Sequence, residues 1–130
     1  MTVDTPMGGV EAVIIALEQN IPPVQGQYDC CTFARECGYQ RFRVLAGSHA
    51  GAEGTIQNTP AAQIVFSIPQ ENEILCRTFD VIFAAHVNEE PSVRLSPAWD
   101  CRSTPLVEGD NPNRYWNRPD ATELHGASVG

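Results

Sequence analysis

The chain has 130 residues, of which 42% are hydrophobic and 18% charged, and it carries a net charge of −8. These values describe one ordinary globular domain rather than a disordered chain. All eight basic residues are arginines, which disfavours a nucleic-acid partner or an anionic membrane and rules out Schiff-base chemistry on a protein lysine.

No apolar run is long enough to span a bilayer, and the N-terminal segment lacks a basic stretch followed by an apolar one, so no secretory signal is expected. The five cysteines, Cys30, Cys31, Cys37, Cys76 and Cys101, form no CxxC pair. They read as reduced thiols of a cytoplasmic protein, not as a disulfide framework or a zinc knuckle.

Along the chain, residues 2–4 leave room for only a very short strand. Thr5 and Pro6 then read as a helix start, an N-cap followed by proline at the first helical position. Val10, Val13, Ile14 and Leu17 recur at helical spacing, and Pro22 and Pro23 stop the helix. Residues 26–33 read as a strand with one wet face, and residues 38–45 alternate as a second strand. The glycine-rich residues 47–54 form a loop. Residues 62–68 are the clearest strand, ended by Pro69. A second helix is expected over residues 71–86, with Leu75, Phe79 and Ile82 on one stripe and a short strand at 92–96 behind it.

From Pro97 onward no period survives. The aromatic segment around Tyr115 and Trp116 stands out in a tail that is irregular and expected to be disordered from residue 123 onward. The expected division is a domain over residues 1–100 and a tail over 101–130. The fold class is α+β, with an antiparallel sheet carrying two helices on one face.

Three segments carry a resemblance. Residues 26–33, GQYDCCTF, are similar to the GxYDxCxF segment of the NIF3-like proteins. Residues 42–47, FRVLAG, resemble their FRPLxG segment, and residues 85–91, AHVNEEP, their AHPYEEP segment. Order and spacing agree from about Val10 to Pro97. The matched part of that family is an inserted domain of PII/CutA-like, ferredoxin-like fold. It occurs within larger proteins and also alone, and it tends to trimerise with its sheets facing inward. The family's two-metal site belongs to another domain and is not carried over. In the family the first strand is full and lies near the sheet centre. Here it is cut to residues 2–4, so a smaller sheet is expected, or one completed by the tail or by a neighbouring subunit.

The turn after the second helix collects the candidate chemistry. His86 can act as a general base tuned by Glu89, or it can simply offset the helix dipole. If the strand of residues 26–33 runs beside this turn, as the resemblance implies, Asp29 orients His86 and Tyr28 donates a hydrogen bond. The structural alternative is a packed Tyr28 and an Asp29 paired with arginine. Arg43 suits a bidentate clamp on a carboxylate or phosphate, or an ion pair with Asp29, Glu89 or Glu90. His49, in the glycine-rich loop, is placed to close a pocket, with Phe33 and Glu90 as further ligand contacts.

Cys30 and Cys31 are expected to be inert thiols. His86, Glu89, Asp29 and Cys31 are donor types that suit a zinc-like ion, but their spacing is not diagnostic, and no metal or cofactor is expected. Two functions fit: a homo-oligomeric module, trimer or dimer, binding a small molecule or a protein in an inter-subunit cleft, or a cofactor-free isomerase, cyclase or lyase with His86 as proton carrier. A third is a structural subunit whose tail caps another protein.

Overall fold

The computed structural model describes residues 1–101, 109 and 111–125. The chain forms two compact units, Met1–Trp99 and Asp100–Gly130. In the first unit, β1 (Thr2–Pro6) leads through a 3₁₀ turn (Met7–Gly9) into α1 (Val10–Asn20). The hairpin of β2 (Phe33–Arg43) and β3 (Ile56–Val65) follows, then α2 (Asn72–Ala85) and β4 (Ser92–Arg94). The sheet order is β2-β3-β1-β4 and every pairing is antiparallel. This βαββαβ arrangement is a ferredoxin-like α+β fold, as expected.

Period two decides which strand residues meet the helices. Val3 sits opposite both Ile64 and Val93, and Thr5 opposite Ala62. Val3, Thr5 and Ile64 are wholly buried, and the core closes with Val13 and Leu17 of α1, Ile82 of α2 and Phe66. The intervening residues of the same strands, among them Asp4, Gln63 and Val65, lie on the sheet face opposite the helices.

Several boundaries differ from the expectation. Thr5 and Pro6 end β1 instead of starting a helix. Thr5 is β-branched and buried against Ala62, which suits a strand interior. Pro6 is the last strand residue, where a missing N–H costs least. The N-cap of α1 is Gly9, with no side-chain cap. The first strand is therefore not cut short. It spans five residues and lies between β3 and β4, so nothing is needed to fill the sheet.

Residues 26–33 are not a strand. Gly26 and Cys30 adopt φ of 64° and 55°, which breaks an extended chain into a turn closed by paired hydrogen bonds between Gln25 and Tyr28. The strand begins at Phe33 and absorbs most of the stretch expected at 38–45, with a break in register between Glu36 and Gly38. β3 starts six residues before the expected strand, because Ile56–Ala61 continue the ladder with β2. Pro60 is tolerated there because β1 pairs with β3 only as far as Ala61.

The second unit holds a 3₁₀ turn (Tyr115–Asn117) and α3 (Ala121–His125). It is less irregular than expected. The Asn111 side chain accepts the Asn113 N–H at 2.9 Å, and Arg118 grips Asp120 through two bonds of 2.7 and 2.6 Å. The disorder expected from residue 123 is replaced by helix as far as His125, and residues 126–130 lie outside the described residues.

Candidate functional site

His86 is the residue at which α2 stops. Its N–H still bonds the Ile82 carbonyl at 2.9 Å, but its ψ of 140° turns the chain out of the helix. The ring folds inward and is 9% exposed. Nδ1 accepts the Asn88 N–H at 3.0 Å, which places the ring proton on Nε2, 3.0 Å from the Asp4 carbonyl to which it donates. Both nitrogens are engaged by backbone, and neither is open to a substrate. The proton-carrier role expected of His86 is thereby replaced by a structural one. The ring ties the turn after α2 to the central strand.

Glu89 does not orient His86. One of its oxygens accepts the His49 backbone N–H at 2.9 Å and the His49 ring at Nδ1, 2.5 Å away; the other accepts the Ser48 hydroxyl at 3.0 Å. These bonds, led by the His49 N–H, hold the Glu89 carboxyl below its usual range. The loop reaches the turn because positive φ at Gly47 and Gly54 lets it fold back on itself, and the Gly54 N–H then closes on the Val44 carbonyl at 2.8 Å. Ser48 is itself fixed by the Ala50 N–H at 3.1 Å. The result is a histidine–carboxylate pair with His49 Nε2 facing solvent, its side chain 92% exposed.

Tyr28 and Asp29 are not brought to this turn. They lie at the end of the sheet where β2 begins opposite Val65, the end from which α2 starts. His86 is at the far end of that 14-residue helix, about 20 Å away at 1.5 Å per residue. Tyr28 is 68% exposed. Asp29 is also exposed, and its carbonyl accepts the Cys31 thiol at 3.5 Å.

Arg43 ends β2 in solvent, and no described carboxylate pairs with it. Glu90 is exposed beside Glu89. Phe33 is exposed on the helix-free sheet face, well away from the turn. Among the described residues no group of three or more His, Cys, Asp or Glu side chains is placed to hold a metal ion.

A second constellation had no counterpart in the sequence reading. On the helix-free face, one polar chain crosses all four strands. Arg94 of β4 bonds Asp4 of β1 at 2.5 Å, Gln63 of β3 donates to the other Asp4 oxygen at 2.8 Å, and Arg35 of β2 grips the Gln63 oxygen at 3.2 and 2.7 Å. Burial works against the charge on Asp4, but the bonds from Arg94 and Gln63, the Arg94 charge and Ser92 outweigh it and hold the carboxyl below its usual value.

A carboxyl with a depressed folded pKa contributes stability that is present above its unfolded pKa, about 4, and lost as pH falls through the folded value. Asp4→Asn is therefore expected to cost about 1–2 kcal/mol at pH 7, between the values for exposed and buried pairs. The variant and the parent chain should converge in urea midpoint toward pH 2. A cost that stays constant with pH would show that the charge on Asp4 contributes nothing.

No protein-family model and no curated protein matches the chain. Among solved structures it is similar to a Bacillus cereus protein related to NIF3, at a TM-score of 0.57 and 25% sequence identity over 70% of this chain. The match spans only 22% of that larger protein. Among the described residues no helix is long and apolar enough to cross a membrane. In fold, this chain fits a NIF3-like domain.

Proposed function

We propose that the chain is a NIF3-like module that assembles from copies of itself across the helix-free face of its sheet. It would hold a small organic molecule in the cleft so formed. One observation carries this reading: both helices cover the same face, leaving the other open. Beside the Arg35–Gln63–Asp4–Arg94 chain that face presents Phe33 at 64% exposure, and further along β2, opposite Gln57, Phe42 is 39% exposed. An aromatic surface beside a satisfied polar centre is the composition of a protein interface rather than of a solvated sheet.

Native mass spectrometry of freshly purified protein tests it. The expected mass is a multiple of 14.2 kDa, with any retained organic adduct visible as excess mass, and Phe42→Arg should lower the subunit count by removing the sheet-face contact. A parent chain that is strictly monomeric at micromolar concentration would end this reading.

The His49–Glu89 pair favours a second reading, acid–base catalysis with His49 in place of His86. The carboxylate fixes the ring with its proton on Nδ1, which leaves Nε2 as the base. At 92% exposure that nitrogen has no wall to exclude water, so catalysis there needs a second copy to cover it. The same mass measurement decides both readings: a monomer removes each.

A further inference from the structure

The helix layer carries a feature that the sheet-face assembly does not use. Between α1 and α2 runs an open, mostly apolar groove of about 360 Å³. Small side chains line it, Ala16, Ala84 and Ala85, together with the polar Asn20, Arg77 and Asp80. The volume is at the lower end of ligand pockets, roughly 300–1,000 Å³. The groove is shallow and widely open to solvent, so it suits a flat side chain presented by a protein better than a free small molecule. The opposite charges of its lining do not suit a lipid surface.

The same chain displays one side chain of that shape. Trp99 is 98% exposed, although tryptophan is highly buried on average in folded proteins. Pro97, two residues earlier, restricts the backbone that presents it, so less freedom is lost on docking. We propose that Trp99 of one copy seats in the α1–α2 groove of the next. The small alanine side chains leave room for a flat ring. Arg77 lines the groove and would stack on its face, and Asp80 or the Asn20 amide oxygen would accept the indole N–H. That oxygen is available because Asn20 holds the Ala16 carbonyl through its amide nitrogen at 2.8 Å. A knob on one surface and a groove on another make a heterologous contact, which closes into a ring or continues as a filament. This contact is independent of the sheet-face assembly.

The chain has two tryptophans, so a Trp116→Phe background leaves Trp99 as the sole indole fluorophore. Its emission is expected to shift to the blue as concentration rises from nanomolar to tens of micromolar. Trp99→Ala should weaken self-association about 30-fold, as for a tryptophan hot spot.

Ala84→Arg fills the groove and should abolish the shift. Ala84 is exposed and arginine is a good helix former, and Ala16→Arg provides a second block from the other helix. Trp99→Ala mixed with Ala84→Arg should recover a heterodimer that neither forms alone. Phe42→Arg should leave the shift in place even where it removes the sheet-face assembly, which separates the two readings. Emission that stays water-like at every concentration, or a blue shift that persists in both groove-filled variants, would overturn the proposal.

Discussion

Replacing His86 with alanine is expected to destabilise the fold by about 2–4 kcal/mol, seen as a lower urea midpoint at unchanged slope. The loss is not mainly one of packing. The ring is the hydrogen-bond partner of two backbone groups, the Asn88 N–H and the Asp4 carbonyl. An unpartnered buried donor or acceptor costs about 1–3 kcal/mol, and alanine supplies neither partner. Asparagine offers an acceptor for the Asn88 N–H and should retain part of the stability. A shift below about 0.5 kcal/mol for the alanine variant, within the range of ordinary surface changes, would mean that water substitutes for the ring. The variant also separates structure from chemistry. Activity, if present, should follow His49→Ala more steeply than His86→Ala once both are measured below their unfolding midpoints.

Gly9→Ala is expected to cost about 1–3 kcal/mol, the usual range for forcing a methyl group into a packed site. Its φ of −102° is ordinary, so no backbone strain is involved, and alanine would otherwise favour the helix that follows. The obstacle is space. A Cβ at Gly9 would lie 2.8 Å from Thr5 Oγ1 and 3.0 Å from a Val87 methyl. Thr5 is wholly buried and cannot move aside. Gly8→Ala meets nothing within 4 Å and serves as the neutral control. Combined with Val87→Ala, the Gly9 substitution should be less costly than alone, because the two sites are in contact. Equal stability of Gly9→Ala and the parent chain would show that the 3₁₀ turn is not packed against the turn after α2.

The two helices, and the order of elements apart from the extra strand expected at residues 26–33, were legible in the sequence because their signals are local. The stripe of Val10, Val13, Ile14 and Leu17 needs no partner to be recognised, and neither does the stop at Pro22 and Pro23. The β-branched pattern of β3 was visible only where it is buried; Gln57, Asn58 and Thr59 are strand residues because β2 pairs with them, and pairing is not written locally. Thr5 and Pro6 misled because an N-cap pair and a strand end use the same residues, and only burial against Ala62 distinguishes them.

The candidate site was half legible. Glu89 and His49 were both singled out, but as members of different groups, because a contact across 40 positions depends on how the loop folds back. The Arg94–Asp4–Gln63–Arg35 chain depends on three registers at once. Asp4 between Val3 and Thr5 suggests an outward-facing position, yet nothing in the sequence states which residues lie beside it.

β2 is an 11-residue strand at the margin of the sheet, and its outer backbone has no partner among the described residues. Such an edge is a template for uncontrolled stacking of chains into fibrils. The break in register between Glu36 and Gly38 acts as a gatekeeper: it interrupts the row of free N–H and C=O groups near its midpoint, so an incoming strand meets two short ladders instead of one long one. Arg35, Glu36, Arg41 and Arg43 add charge along the same strand. A break at a single position thus guards the longest strand of the sheet, and straightening it would leave one long uninterrupted edge for another chain to pair with.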